Sequence, residues 1–271
     1  MSDPELRKIA EGREAEIFEW EDGTVLRLMR EGYPQEAVDM QARALAAAHD
    51  AGVAVPTPGE TTIVDGRHGL VMERLDGPDL LTLVGNKPWH IWSAGITTGR
   101  LQAEIHEVAA PEGIPNLKAG VTRSIETSDL VPPEIAGFAL DLLVALPDGD
   151  RLCHGDFHPG NIIQTADRNV LIDWSNVCAG DPAADYARTQ LTIRMGEPPP
   201  GAPFMARTLA IVGRGALGLA IRRGYRQLRS IDEDLVRRWE VPVMANRLYE
   251  GIEEERPKLL KLLEERMDEA K

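Results

Sequence analysis

Two short apolar stretches, residues 15–20 and 24–29, stand on either side of Glu21-Asp22-Gly23, a pattern that predicts a β-hairpin. Over residues 35–51 the period lengthens. Val38, Leu45 and Ala48 fall on one helical stripe, Gly52 supplies a stop signal, and Pro56 and Pro58 close the segment. A second pair of strand-like pieces, 61–64 and 69–73, flanks Asp65-Gly66, after which Asp76-Gly77-Pro78 breaks the pattern. A boundary there divides the chain into a small β-rich lobe, residues 1–76, and a larger, mainly helical lobe, residues 77–271. In the second lobe, helical spacing recurs near 89–109, 133–146, 182–195, 203–224, 232–253 and 256–270, with one clear strand pair among them and a proline-rich loop at 197–203. The layout is α+β, with no fixed-period repeat.

The strand pair lies within the most informative stretch. It reads Cys153-His154-Gly155-Asp156-Phe157-His158-Pro159-Gly160-Asn161-Ile162-Ile163 and continues to Val170-Leu171-Ile172-Asp173-Trp174. Two apolar runs separated by polar turn residues predict a hairpin centred near Asp167. Asn161 and Asp173 are equidistant from that centre, so an amide oxygen and a carboxylate are expected as direct cross-strand neighbours, with Cβ atoms roughly 5 Å apart. Hard oxygen ligands converging at one point suit magnesium, which takes few protein ligands and completes its shell with water and phosphates. Asp156 precedes them on a loop formed by Gly155, Pro159 and Gly160, a setting suited to a carboxylate that accepts or orients a hydroxyl proton. A histidine two residues before that aspartate and an asparagine five after it match the spacing of a kinase catalytic loop. His154 and His158 are four apart, as in helical zinc sites. Pro159 and Gly160 oppose a helix, however, and no third ligand is evident, so His154 is read as a packed residue bracing the loop.

Composition narrows the classes further. With 271 residues and 43% hydrophobic content the chain can bury a sizeable core, and two cysteines are too few for a disulfide framework. A net charge of −14 opposes nucleic-acid binding, which needs basic patches, and fits somewhat better with a cationic small molecule drawn in by the field. The charged first residues and the lack of any run of about 18 apolar residues point to a cytoplasmic protein without a membrane partner.

These motifs resemble those of the aminoglycoside phosphotransferase and choline kinase-like family, which has a bilobal protein-kinase-like fold. Gly180-Asp181-Pro182-Ala183-Ala184-Asp185-Tyr186-Ala187 is similar to the family segment after the metal-binding aspartate, 71–77 resembles the hinge between lobes, and 101–106 resembles the first helix of the large lobe. The resemblance implies an ATP- and Mg2+-dependent phosphotransferase acting on a hydroxyl of an aminoglycoside-, amino-sugar- or choline-like acceptor. By it, Asp156 is the catalytic base or orienter, Asn161 and Asp173 hold Mg2+, and Asp185, with His154, supports the catalytic loop. The hinge main chain at Met72 and Glu73 meets adenine, and Gly12 stands under the phosphates without the three-glycine loop of protein kinases. Arg27 occupies the position of the strand lysine, and Gln41 falls where a helix glutamate is expected. The amide can give Arg27 a hydrogen bond but no ion pair, and Glu36 is the weaker alternative partner. These two departures leave open a nucleotide-binding regulatory module without turnover. A protein kinase is disfavoured because no Ala-Pro-Glu segment follows Asp173. The acceptor would be read by the helices after Pro198.

Overall fold

A computed structural model gives the fold over residues 6–195 and 204–270; of residues 204–211 the backbone alone is described. Three consecutive strands, β1 (Lys8–Glu11), β2 (Ala15–Glu19) and β3 (Thr24–Met29), run antiparallel. After helix α1 (Gln35–Asp50), the hairpin of β4 (Pro58–Val64) and β5 (Arg67–Glu73) completes a sheet of order β1-β2-β3-β5-β4. Its turn is Asp65-Gly66, both left-handed at φ 50° and 75°, the conformation that matches the twist of the flanking strands.

Side chains alternate across β3. Leu26 and Leu28 pack with Val71 on one face, whereas Met29 and Arg27 turn toward α1. On α1 the buried positions are Val38, Gln41, Ala44, Leu45 and Ala48, one stripe of period 3.6 with an amide in its middle. The helix stops where Gly52, at φ 81°, returns its N–H to the His49 carbonyl.

The rest of the chain is mostly helical. It comprises α2 (Leu80–Asn86), α3 (Ile91–Ile105), α4 (Leu117–Glu126), α5 (Pro133–Val144), α6 (Pro182–Met195), α7 (Phe204–Tyr225), α8 (Glu233–Tyr249) and α9 (Arg256–Glu269). Helices α3 and α7 cross closely because Gly95, Gly99 and Gly224 stand at the contact; a Cβ on Gly99 would overlap the Ile221 carbonyl. Trp239, Ile221, Leu143 and Leu263 lie in the core of this half. Two small antiparallel pairs are set between the helices: β6 (Arg151–Cys153) with β9 (Cys178–Gly180), and β7 (Ile162–Gln164) with β8 (Asn169–Leu171).

A single cluster of buried side chains runs from Met29, Val38 and Leu45 through Leu80 and Ile105 to Phe157, Ile162 and Trp174. It joins the β-rich lobe to the loop that carries Asp156. A main-chain bond reinforces the join, from Leu171 N to Ala54 O at 2.9 Å. Among the described residues no helix is long and apolar enough to cross a membrane.

The elements absent from the sequence reading are β1, α2, α4 and the β6–β9 pair. β1, α2 and the β6–β9 pair are short or fully exposed, so too few alternations accumulate to show a period, and α4 buries only Val121 and Ile125 of its ten residues. The loop expected at 197–203 lies outside the described residues.

Candidate active site

The loop after β6 is held from below by buried groups. His154 directs Nε2 at the Ile172 carbonyl, 2.9 Å away, so this nitrogen carries the proton; Nδ1 is buried without a partner. Burial pushes the His154 pKa down, which keeps the ring neutral, and it stands edge-on to Phe157 and Trp174. Gly155 follows at φ 77°, where a Cβ would strike the Asn176 carbonyl, and its N–H donates to Asp185 Oδ1 at 2.8 Å. The other Asp185 oxygen takes His106 Nε2 at 3.0 Å and Gln102 Nε2 at 3.1 Å. Burial alone would raise the Asp185 pKa; the His106 and Gln102 hydrogen bonds outweigh it and bring it to about 2.

Asp156 reaches the surface of this loop. Burial favours its neutral form, but the His158 ring, with Nε2 3.6 Å from Oδ2, and the more distant charge of Arg188 hold the carboxyl below its usual range. His158 is itself oriented by the Gly160 N–H, which donates to Nδ1 at 3.1 Å. Pro159–Asn161 forms one 3-10 turn, and Asn161 donates Nδ2 to the Asp156 carbonyl at 2.9 Å, leaving its amide oxygen as the group able to take a cation.

The β7–β8 register differs from the sequence expectation by one residue. Ile162 pairs with Leu171 and Ile163 with Val170, so Asn161 lies opposite Ile172, to which it is bonded through its carbonyl, and not opposite Asp173. The cause is the turn. Thr165 N donates to Arg168 O at 2.9 Å, closing a two-residue loop of Ala166 and Asp167 whose centre falls between residues. A one-residue slip would normally send Asp173 to the opposite face. Asp173 leaves the extended conformation instead, at φ 63°, a left-handed value that is strained for a residue with a Cβ. Its carboxylate accepts from Ser175 Oγ at 2.5 Å and lies 3.4 Å from Arg27 Nη2.

Arg27 therefore has a carboxylate partner, although not one on α1. Nη1 donates to Gln41 Oε1 at 2.7 Å, while Nη2 reaches Ser175 Oγ at 2.8 Å and Asp173. Glu36 is exposed in the first turn of α1 and forms no pair with it. Gly12 occupies the β1–β2 turn, donating its N–H to Ala15 O at 2.8 Å, and Arg30 secures that turn through the Gly12 and Arg13 carbonyls. Glu73 does not turn its side chain into the open space: it accepts from Thr57 N at 2.9 Å and from Arg168 Nη2 at 2.6 and 2.7 Å, and its own N–H goes to Thr57 O. With the Arg74 N–H bonded to Gly23 O, the free edge of this connection begins at Leu75.

One cleft of about 1320 Å³ receives these groups. Gly12, Arg27, Gln41, Met72 and Glu73 line its upper part, and Asp156 and Asp173 line its floor. Asn161, His154 and Asp185 are buried beside the loop and do not border the open space. The cleft extends beyond Asp156 to Arg188 on α6, to Arg247 on α8 and to Glu250 at its C-terminal end, residues no sequence motif singled out. Among the described residues no cluster of three or more His, Cys, Asp or Glu side chains is placed to hold a metal. Of the two oxygen donors expected to hold a cation, Asp173 borders the cleft, while Asn161 lies buried beside the loop.

The phosphotransferase enzyme family matches residues 5–230, most of the chain and all of this loop. The chain belongs to that family. Among curated proteins none matches the sequence of this phosphotransferase. Solved structures share its protein-kinase-like fold at low identity. An amicoumacin kinase in complex with AMP-PNP, Ca2+ and Ami superposes with a TM-score of 0.68 at 13% identity, over 97% of this chain and 88% of that one. A thermostable aminoglycoside phosphotransferase in a ternary complex with AMP-PNP and hygromycin B gives 0.62 at 17%, over 97% and 92%. A choline/ethanolamine kinase family protein from Mesorhizobium loti gives 0.61 at 16%, over 92% and 79%.

Proposed function

We propose that this phosphotransferase moves the γ-phosphoryl group of ATP to a hydroxyl of a small molecule. Residues 1–76 would hold the nucleotide, and residues 77–271 would supply the catalytic loop and the acceptor site. The observation that carries the reading is the meeting of Asp156, Asp173 and Arg27 in a single cleft, although Arg27 comes from the other lobe.

Asp156 is the group that touches the acceptor. Held ionised, it takes the hydroxyl proton as the acceptor oxygen bonds to phosphorus and the bond from phosphorus to the departing ADP oxygen breaks. Arg27 sets a permanent cation against the phosphates and keeps it in place through Gln41. Asp173 on the cleft floor and Asn161 from beside the loop would hold Mg2+, which would offset the negative charge of the phosphates and of the departing oxygen. Main chain from Leu75 onward is left to meet the base, and the Gly12 turn lets backbone approach the phosphates. AMP-PNP in the amicoumacin kinase and in the aminoglycoside phosphotransferase, with Ca2+ in the former, supports a nucleoside triphosphate and a divalent cation.

The test is ADP release from ATP and Mg2+ across a panel of hydroxylated acceptors, including aminoglycosides, amino-sugars, choline and ethanolamine. Acceptor-dependent release that disappears in Asp156→Ala supports the assignment. AMP-PNP binding with no turnover across the panel favours the regulatory module, and turnover that survives the substitution removes Asp156 from its role.

A further inference from the structure

Past Asp156 the cleft runs between α4, α6 and α8, where Ser124, Asn176, Arg188, Asn246, Arg247 and Glu250 face it. Two guanidiniums and three neutral polar side chains thus stand against one carboxylate, and that carboxylate is already occupied. Arg188 Nη1 donates to Glu250 Oε1 and Arg247 Nη1 to Oε2, both at 2.5 Å. Arg247 is further forked onto Glu255, with Nε at 2.8 Å and Nη2 at 2.9 Å, so each of its three nitrogens has a carboxylate partner within the protein.

Arg188 is not satisfied in this way. Its one hydrogen bond within the described residues is through Nη1, so Nη2 keeps its donors for a ligand in the cleft that Arg188 lines, while Nε is buried behind it without a partner. Glu250 and Glu255 are both engaged by Arg188 and Arg247, and the open carboxylate nearest them, Asp156, is the group assigned to the acceptor hydroxyl. What remains is a guanidinium with donors to spare, in the same cleft as Asp156. The negative charge of the whole chain favours cations at long range, but such fields are screened within about 8–10 Å at physiological salt, and at contact the local groups set the sign.

We propose that the acceptor carries an oxyanion, a carboxylate or a phosphate, beside the hydroxyl to be phosphorylated, and that Arg188 receives it and sets specificity. The proposal rests on the phosphotransferase reading of the same cleft.

The experiment uses the full chain loaded with AMP-PNP and Mg2+, and nucleotide binding is measured first. Calorimetry then compares matched compounds: D-glycerate and glycerol 3-phosphate against glycerol and 3-amino-1,2-propanediol, and glucuronate and glucose 6-phosphate against glucose and glucosamine. In at least one series an anion binds at least tenfold tighter than its neutral and amino counterparts, and comparing its carboxylate with its phosphate identifies the oxyanion. Arg188→Gln erases the preference for the anion and leaves the neutral compound unchanged. Glu250→Gln, which frees both Nη1 groups, tightens the anion, a gain that a merely structural charge pair would not give. Tighter binding of the amines, no binding of any anion, or an equal loss for all compounds in Arg188→Gln overturns the proposal while the nucleotide site stands. Failure to bind AMP-PNP overturns the phosphotransferase reading and this proposal with it.

Discussion

The floor of the cleft comes from one short stretch of chain, whereas its far wall comes from side chains widely separated in sequence. Asp156, Asn161 and Asp173 sit on a loop and hairpin whose supports, Asp185 and the Ile172 carbonyl, are buried hydrogen-bond partners with little freedom. The far wall is a chain of alternating charges, Arg188, Glu250, Arg247 and Glu255, drawn from α6, α8 and the turn before α9. Buried neutral-to-charged bonds fix a geometry that tolerates little change, because each lost partner strands a desolvated group. Exchangeable ion pairs at a cleft wall leave room for other anions to compete. The chemistry is therefore expected to be rigid and the acceptor preference adjustable.

Substitutions on the floor should break the contrast most sharply. Asp156→Asn is expected to lower kcat by ~10²–10⁴-fold with little change in urea stability, because it removes a proton acceptor without emptying the core. Asp185→Ala acts on fold and turnover together. It leaves Gly155 N–H, His106 and Gln102 without their shared acceptor and should cost about 3–5 kcal/mol in urea unfolding. Arg27→Met tests the upper part of the cleft, where loss of a charge-assisted phosphate contact should raise the KM for ATP by ~10-fold or more and alter the acceptor KM little.

Acid titration sharpens the same division. Asp156 has a lowered pKa, so the acid limb of kcat/KM should lie below pH 3.8, and a limb near pH 5 would exclude it as the base. Asp185 is also depressed, so the stability it contributes is complete above about pH 3.8 and lost as pH falls toward 2, on the order of 2 kcal/mol. Circular dichroism recorded alongside the rates separates the two losses. The smallest effect belongs to Arg168→Ala. That residue pairs with Glu73 at a partly exposed site, and its loss should cost under ~1 kcal/mol and shift the KM for ATP by less than threefold.

Much of the floor could be read from residue order, since its groups are close in the chain and the loop-formers between them restrict the backbone. His154, Gly155, Pro159 and Gly160 mark a non-helical loop, and the apolar runs on either side mark a hairpin. The one-residue error in register shows where such reading stops. A turn can close on an odd or an even number of residues, and Thr165 chooses the two-residue form through bonds that apolar periodicity does not encode. The partner of Arg27 was hidden for a related reason. Gln41 is visible as the inward position of α1, but the carboxylate that meets Arg27 lies 146 residues away and reaches it because Asp173 adopts a left-handed conformation.

Local pattern was enough for the two-lobed α+β layout and for the non-helical loop and hairpin that carry Asp156, Asn161 and Asp173, since each depends on spacing within a few turns of chain. The pairing of Arg27 with Asp173, the bracing of Gly155 by Asp185 and the charge chain at the far wall depend instead on which distant side chains are desolvated together. That is set by packing of the complete core, because a buried donor or charge is satisfied by whatever partner the folded chain brings within about 3 Å, irrespective of its place in the sequence.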